Sequence, residues 1–328
     1  MKHRIAYVNE RGKKMFLSFI IPVYNAEEFL KECLDSILHQ DLSYDEYEII
    51  CINDGSTDGS FDILNEYDKA YDNIRVINQD NSGVSAARNI GINTASGEYL
   101  WFVDADDFIG RNILNMLKAF LNNSQIDVAQ LGAYPFQNKL SHSEKTAYKE
   151  GKLQPKSYAN YVFVTRNIFR KRFLIRYHIR FCTELSYSED KVFISEVLSE
   201  NPNVIQVKKV CYYYRYHMGS AITKAGAQTV DMRIIAIVRF QEMYKRVPAA
   251  FKSAIADNLI TEVYQCFYTF SGLPFNQYIA TKHQLKSKGL FLIRRPKECT
   301  IKQSYLVDHS KIYGKIFDFV YIHLDTNI

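Results

Sequence analysis

Glu98-Tyr99-Leu100-Trp101-Phe102-Val103-Asp104-Ala105-Asp106-Asp107 runs from five successive apolar residues straight into three carboxylates. An apolar run without polar alternation suits a strand buried on both faces, as in a parallel sheet. Its abrupt end puts clustered acids at the carboxyl edge of that sheet, where open α/β sheets bind ligands. Carboxylates this close repel one another, and hard divalent cations favour such oxygen donors. Two readings stand. Asp104 and Asp106 form a cation site if the segment stays extended and both point one way, or the stretch is an acidic surface turn in which Asp107 caps the next helix.

The same strand-then-helix unit recurs on both sides. Upstream, Phe16–Val23 reads as a first buried strand. Asn25 and Glu28 then have capping-box spacing for a helix carrying Phe29, Leu30, Cys33, Leu34, Ile37 and Leu38. Glu48–Ile52 is a second strand, Asn53–Asp58 a turn, and Ile63, Leu64 and Tyr67 mark a helix. Ile74–Ile77 leads through the loop Asn78–Gly83 into a helix ending near Thr94. Downstream come a helix over about 112–122 and a strand near Asp127–Leu131. Residues 135–157 are polar and lysine-rich and read as an exposed excursion. Order resumes at Tyr161–Thr165, followed by a basic amphipathic stretch to Arg176. Ser188–Phe193 opens another helix, and two short strands are expected at Val204–Val207 and Cys211–Tyr216. Beyond residue 220 the pattern is helical and basic, with Ile234, Ile235, Val238, Phe240, Met243 and Tyr244 as one apolar stripe. The whole predicts an α/β protein with a doubly wound mixed sheet over 16–220, a polar leader at 1–15, and a basic, mainly helical region at 221–328.

Further candidate chemistry lies along that edge. Asp54 follows the second strand and is suited to accept hydrogen bonds from a ribose or base; alternatively Ser56 or Thr57 simply caps the next helix. Gly83 and its small neighbours open a helix where backbone can approach a phosphate, and Arg88 on that helix either suits bidentate pairing with a diphosphate or is simply a surface residue. Glu189 and Asp190 either serve the helix dipole or supply a general base for an incoming hydroxyl. Tyr212–Ser220 gathers Arg215, His217 and Ser220 among aromatics, as phosphate and metal contacts or as an aromatic edge strand.

The 328 residues are 47% hydrophobic and 23% charged, an ordinary globular composition. Residues 1–200 hold 23 Lys and Arg against 28 Asp and Glu, and residues 201–328 hold 18 against 8. The basic half suits an anionic partner surface. Six cysteines without a close pair read as free, mostly buried thiols in a reducing compartment. No signal peptide or membrane-length apolar run occurs, so a cytoplasmic protein is expected. Lys286, Lys288, Arg294, Arg295, Phe317, Phe319 and Tyr321 suit either peripheral contact with the anionic inner face of the plasma membrane or a solvated basic cap.

In order along the chain stand Phe-Ile-Ile-Pro-Val-Tyr-Asn-Ala (19–26), Ile-Asn-Asp-Gly-Ser-Thr-Asp-Gly-Ser (52–60) and Asn-Ser-Gly-Val-Ser-Ala-Ala-Arg-Asn-Ile-Gly (81–91). Gly-Glu-Tyr-Leu-Trp-Phe-Val-Asp-Ala-Asp-Asp (97–107) and Ser-Glu-Asp-Lys-Val-Phe (188–193) follow. Together these segments resemble the family 2 glycosyltransferases of the GT-A fold, over roughly residues 16–220. The resemblance implies that Pro22, Tyr24 and Asn25 line a nucleotide pocket, that Asp54 holds the base or ribose, and that Gly83 and Arg88 meet the donor diphosphate. Asp104 and Asp106 match the family's DxD motif, with Asp106 as direct ligand of Mn²⁺ or Mg²⁺ and His217 nearby. Asp190 matches the general base and Glu189 an acceptor-positioning acid; Arg215 and Ser220 match diphosphate contacts more loosely. The implied activity is inverting transfer of one sugar, or a few, from a UDP-sugar to a saccharide or lipid-linked saccharide acceptor in bacterial surface-polysaccharide synthesis, with no nucleic-acid partner. The Q-x-x-R-W motif of processive members is absent. An inactive GT-A binding protein and a metal-dependent phosphatase using Asp104 as nucleophile are the alternatives.

Overall fold

In a computed structural model of the chain the described residues are 15–122, 125–137, 139–141, 145, 163–217 and 230–271. They fall into two compact units, residues 1–186 with 202–224, and residues 187–201 with 225–328.

The first unit is built on a mixed sheet. β1 (Leu17–Val23), β2 (Tyr47–Asp54), β3 (Ile74–Gln79) and β4 (Tyr99–Phe102) are its parallel half. β5 (Phe108–Ile109), β6 (Val128–Gln137), β7 (Asn167–Arg170) and β8 (Val204–Tyr216) complete it, in the order β3-β2-β1-β4-β7-β6-β8-β5. The parallel half fits its sequence. β4 is buried throughout and β1 nearly so, as continuous apolar runs require when helices cover both faces. Pro22 sits near the end of β1 without breaking the ladder. Ile20 accepts the Val103 amide, so the same edge of residue 22 faces the β4 side, and the β1–β4 pairing has already ended at Ile20. Its missing N–H therefore falls where no partner strand continues.

Helices α1 (Leu30–Leu38), α2 (Ser60–Ala70), α3 (Val84–Thr94), α4 (Leu114–Asn122) and α5 (Lys171–Arg176) also belong to this unit. α1 buries Leu30, Cys33, Leu34, Ile37 and Leu38, the expected stripe. Asn25 does not cap it. Asn25 is left-handed (φ 50°), α1 starts after a turn closed on the Ala26 carbonyl, and the Asn25 amide oxygen accepts the Thr57 N–H at 2.8 Å instead. Of the six cysteines, Cys33, Cys51, Cys182 and Cys211 are free and buried, as expected.

The other half of the sheet departs from the sequence reading in three places. Val204–Tyr216 is one strand rather than two. Between Leu131 and Ala133 its register with β6 shifts twice, a bulge that absorbs the Lys208-Lys209 interruption and carries Tyr212 and Tyr213 onto β5. Residues 135–157 do not begin as an exposed excursion, because β6 continues to Gln137 and both Phe136 and Leu140 are buried with Phe108, Tyr134, Val210 and Tyr213. The basic stretch before Arg176 contains a buried strand, β7, antiparallel to β4. Its Arg170 is satisfied internally, donating to the Ile126 carbonyl at 2.8 Å and pairing with Glu98 at 3.4 Å.

The second unit contains α6 (Glu189–Ser199), α7 (Val230–Arg246) and α8 (Lys252–Ser271). Ile234, Phe240 and Met243 of the expected stripe are buried, joined by Ala236 and Ile237, while Ile235, Val238 and Tyr244 are half-buried. No described helix is long and apolar enough to cross a membrane. The basic and aromatic residues from Lys286 to Tyr321 lie outside the described residues.

Gly91 decides how closely α3 approaches the sheet. A Cβ there would lie 2.2 Å from the Ile20 methyl on β1. Alanine in a helix interior normally gains about 1 kcal/mol over glycine, but this overlap reverses the sign. Gly91→Ala should lose about 1–3 kcal/mol in urea unfolding; a stabilised variant would refute the tight contact.

Candidate functional site

The loops that follow β1 and β2 lock one another at the carboxyl edge of the sheet, and the end of β2 holds the loop after β3. From the first loop, the Ala26 amide donates to Ser60 Oγ at 2.8 Å and the Glu27 amide to Asp58 at 3.1 Å. In return, the Gly59 and Thr57 amides donate to the side chains of Glu27 and Asn25. Tyr24 stands at the rim, 52% exposed.

Asp54, at the end of β2, is buried. One carboxylate oxygen accepts from the Gln79 side chain and, at 2.7 Å, from the Ser82 amide; the other accepts the Gly83 amide at 2.9 Å. A carboxylate offers about four acceptor positions, so little remains for a ligand beyond one further donor. What Asp54 does within the chain is hold the loop that starts α3. Gly83 at that start has φ 87°, a backbone conformation that favours glycine although a side chain there would meet no neighbour. Ser56 and Thr57 do not cap α2, whose N-cap residue is Gly59.

Residues 104–107 form a turn closed by the Asp107 amide donating to the Asp104 carbonyl at 3.1 Å. The segment is therefore not extended, yet carboxylate oxygens of Asp104, Asp106 and Asp107 still lie within 4.8 Å of one another. Each acid has a different neighbour. Arg88, buried on α3 with its guanidinium 5.2 Å from the Phe181 ring centre, donates to Asp104 at 2.9 Å. Asp106 lies 2.8 Å from His217 Nε2. Burial and the Asp104 charge push the Asp106 carboxyl above its ordinary range, with His217 opposing. Asp107 is almost fully buried and caps no helix, since β5 follows it directly. It accepts the Tyr212 hydroxyl at 2.6 Å and the Arg215 amide at 2.7 Å. Burial first, then its two acidic neighbours, hold its carboxyl well above the usual range.

Arg215 braces the turn from behind. Its Nε donates to the Asp106 carbonyl at 2.7 Å, another guanidinium nitrogen pairs with Glu32, and the group lies against Phe29 and Phe136 at 4.7 and 4.9 Å. Neither Glu32, an acid on the polar side of α1, nor Tyr212, one tyrosine among three in a row, stands out from its local pattern. Their roles depend on β8 pairing with β5, which no local pattern announces. Ser220 lies outside the described residues. Glu189 and Asp190 occupy the first turn of α6 in the second unit.

The donor set suits a hard cation. Asp104 and Asp106 are the partly exposed acids of the cluster, and their mutual repulsion is what a divalent ion relieves. Asp107, turned inward to Tyr212, supports the turn. Tyr212→Phe leaves a buried carboxylate short of a donor, so stability should fall by about 1–3 kcal/mol. A change under about 0.5 kcal/mol in thermal or urea unfolding, the size of an ordinary surface substitution, would show that Asp107 does not need the hydroxyl.

Residues 18–183 match the family described as Glycosyl transferase family 2. The chain is 36% identical over 205 residues to a poly(ribitol-phosphate) beta-glucosyltransferase of Bacillus spizizenii, covering 61% of this chain and 32% of that protein. It is 32% identical over 224 residues to the uncharacterized glycosyltransferase EpsJ of Bacillus subtilis, covering 62% of each. The chain thus spans less than two thirds of either relative. Among solved structures, residues 1–349 of Staphylococcus aureus TarS in complex with UDP-GlcNAc overlay with a TM-score of 0.68 at 20% identity, covering 94% of this chain and 93% of that one. At that identity the likeness bears on the fold, which is the GT-A fold that the motifs imply. The matched span holds four of the five motif segments, including both aspartates of the DxD pair, and on that ground the chain belongs to glycosyltransferase family 2.

Proposed function

We propose that the protein is an inverting glycosyltransferase that moves one sugar from a UDP-sugar to an acceptor hydroxyl in the assembly of a bacterial surface polysaccharide or teichoic-acid-like polymer. The observation that carries this is the pair of partly exposed acids at the end of β4, Asp104 held by Arg88 and Asp106 facing His217. The relatives support the class of product, since one is named for glucosylating poly(ribitol-phosphate), and the TarS complex supports a uridine donor.

Asp104 and Asp106 would hold Mn²⁺ or Mg²⁺, with His217 beside them; when bound, such an ion offsets negative charge on the leaving nucleoside diphosphate. Tyr24, Pro22 and Asn25 line the nucleotide pocket, and Asp54 keeps the Gly83 loop in place under the donor. Arg88 is already engaged by Asp104, so it acts on the diphosphate while anchoring that acid. For Arg215 to meet phosphate it must exchange Glu32 for the ligand; in its present contacts it supports the 104–107 turn. Asp190 accepts the proton of the acceptor hydroxyl as that oxygen bonds to the anomeric carbon. The bond from that carbon to the diphosphate oxygen breaks on the opposite face, so configuration inverts, and Glu189 orients the acceptor. The assignment of both acids rests on the Ser188–Phe193 motif. Peripheral attachment at the inner membrane face would bring a lipid-linked acceptor within reach.

Calorimetric titration with UDP, GDP and dTDP, each with and without Mn²⁺ or Mg²⁺, tests the donor site. UDP should bind with metal dependence, and Asp106→Ala should abolish that dependence; metal-independent binding, or none in folded protein, would count against the reading. Asp190→Asn should keep UDP affinity while lowering turnover roughly a hundredfold or more, the range for a lost general base. Near-normal turnover would remove Asp190 from that role.

A further inference from the structure

The start of α6 is built in an unusual way. Ser188 occupies its N-cap position with φ 61° and ψ 7°, a left-handed conformation that non-glycine residues seldom adopt, and its hydroxyl makes no capping bond. A serine there ordinarily accepts an amide of the first turn. This one donates instead to Oε1 of Glu262, on α8, at 2.5 Å. Lys191, one turn on, donates to the same oxygen at 3.0 Å, and Arg233 of α7 donates to Oε2 at 3.1 Å. The Tyr187 ring lies against both cations, 5.8 Å from Lys191 Nζ and 5.5 Å from the Arg233 guanidinium. The Glu262 side chain is 1% exposed.

One buried carboxylate therefore grips the chain on both sides of Glu189-Asp190. Burial without partners would be costly for such a group, so the cluster forms as a unit: two cations, a hydroxyl and the acid. It over-determines the left-handed Ser188 and so fixes the backbone of the first turn of α6, which carries Glu189 and Asp190.

We infer that Glu262 is a positioning residue for Asp190, holding the backbone that carries the general base through Ser188 and Lys191. The inference rests on the reading of Asp190 as base. It also gives the C-terminal helices a part in the reaction that no motif in them suggests.

The test compares full-length Glu262→Gln and Ser188→Ala with Glu196→Gln. Glu196 lies on the same helix and pairs with Arg239 of α7 at 3.1 Å, but sits beyond the first turn. Three readouts serve: amide hydrogen exchange across residues 187–199, UDP affinity with Mn²⁺, and UDP release from UDP-GlcNAc and UDP-glucose. The two variants at the cluster should speed exchange over 188–192, leave UDP affinity unchanged, and lower turnover about tenfold to a hundredfold, as misplacement of a catalytic group does. Glu196→Gln should lower Tm with neither effect. Should Glu262→Gln fail to fold, Ser188→Ala alone carries the comparison. Unchanged exchange over 188–192 in folded variants, or equal losses in Glu196→Gln, would overturn the inference while leaving Asp190 as base if Asp190→Asn is inactive. An active Asp190→Asn would remove the base and this inference together.

Discussion

Three carboxylates in four residues at the end of a buried strand carry a repulsion that the rest of the site is arranged to balance. The balance is divided rather than shared. Asp104 takes a buried arginine, Asp106 a histidine, and Asp107 a hydroxyl and a backbone amide. Because each acid has its own neighbour, the turn can present two of them outward and keep the third inside as a support. The partners come from α3, from β8 and from the residue just after it, so one local electrostatic requirement ties together parts of the chain more than a hundred residues apart.

The same economy governs the loops at the parallel edge. Side chains of the β1–α1 and β2–α2 loops accept one another's backbone amides, and Asp54 holds the entry to α3. Polar backbone exposed at strand ends is thereby satisfied by neighbouring loops instead of by helix caps. That is why neither Asn25 nor Ser56 caps a helix despite suitable spacing. These loops are thereby held by the chain's own hydrogen bonds.

Legibility in the sequence followed the physical origin of each element. Strands covered on both faces by helices must be apolar throughout, so β1, β2 and β4 announced themselves. β7 did not, because Arg170 is buried within it by internal partners and the stretch reads as basic surface. β5 is two residues long, and β8 looked like two strands because its bulge places two lysines in the middle. At the carboxyl edge of the sheet, local motif picked out Asp104, Asp106, Arg88 and Asp54 as residues to watch, but not the partners each takes. The contacts of Glu32, Tyr212 and Glu262 were not legible at all, since nothing within several residues of them reveals a partner that folding brings from elsewhere.

The amino-acid pattern alone carried the α/β class, the order of the parallel strands along the chain and the gathering of acids at the end of β4. Each of these follows from patterns within about twenty residues, which hydrophobic period and turn chemistry encode directly. Which acid faces outward, which is held inside, and that Arg215 braces the turn were set by the folded chain. The same holds for Ser188, whose hydroxyl bonds to a helix more than seventy residues away. Those outcomes depend on pairings distant in the chain, and the free energy that selects them comes from burying charges only where their partners already stand.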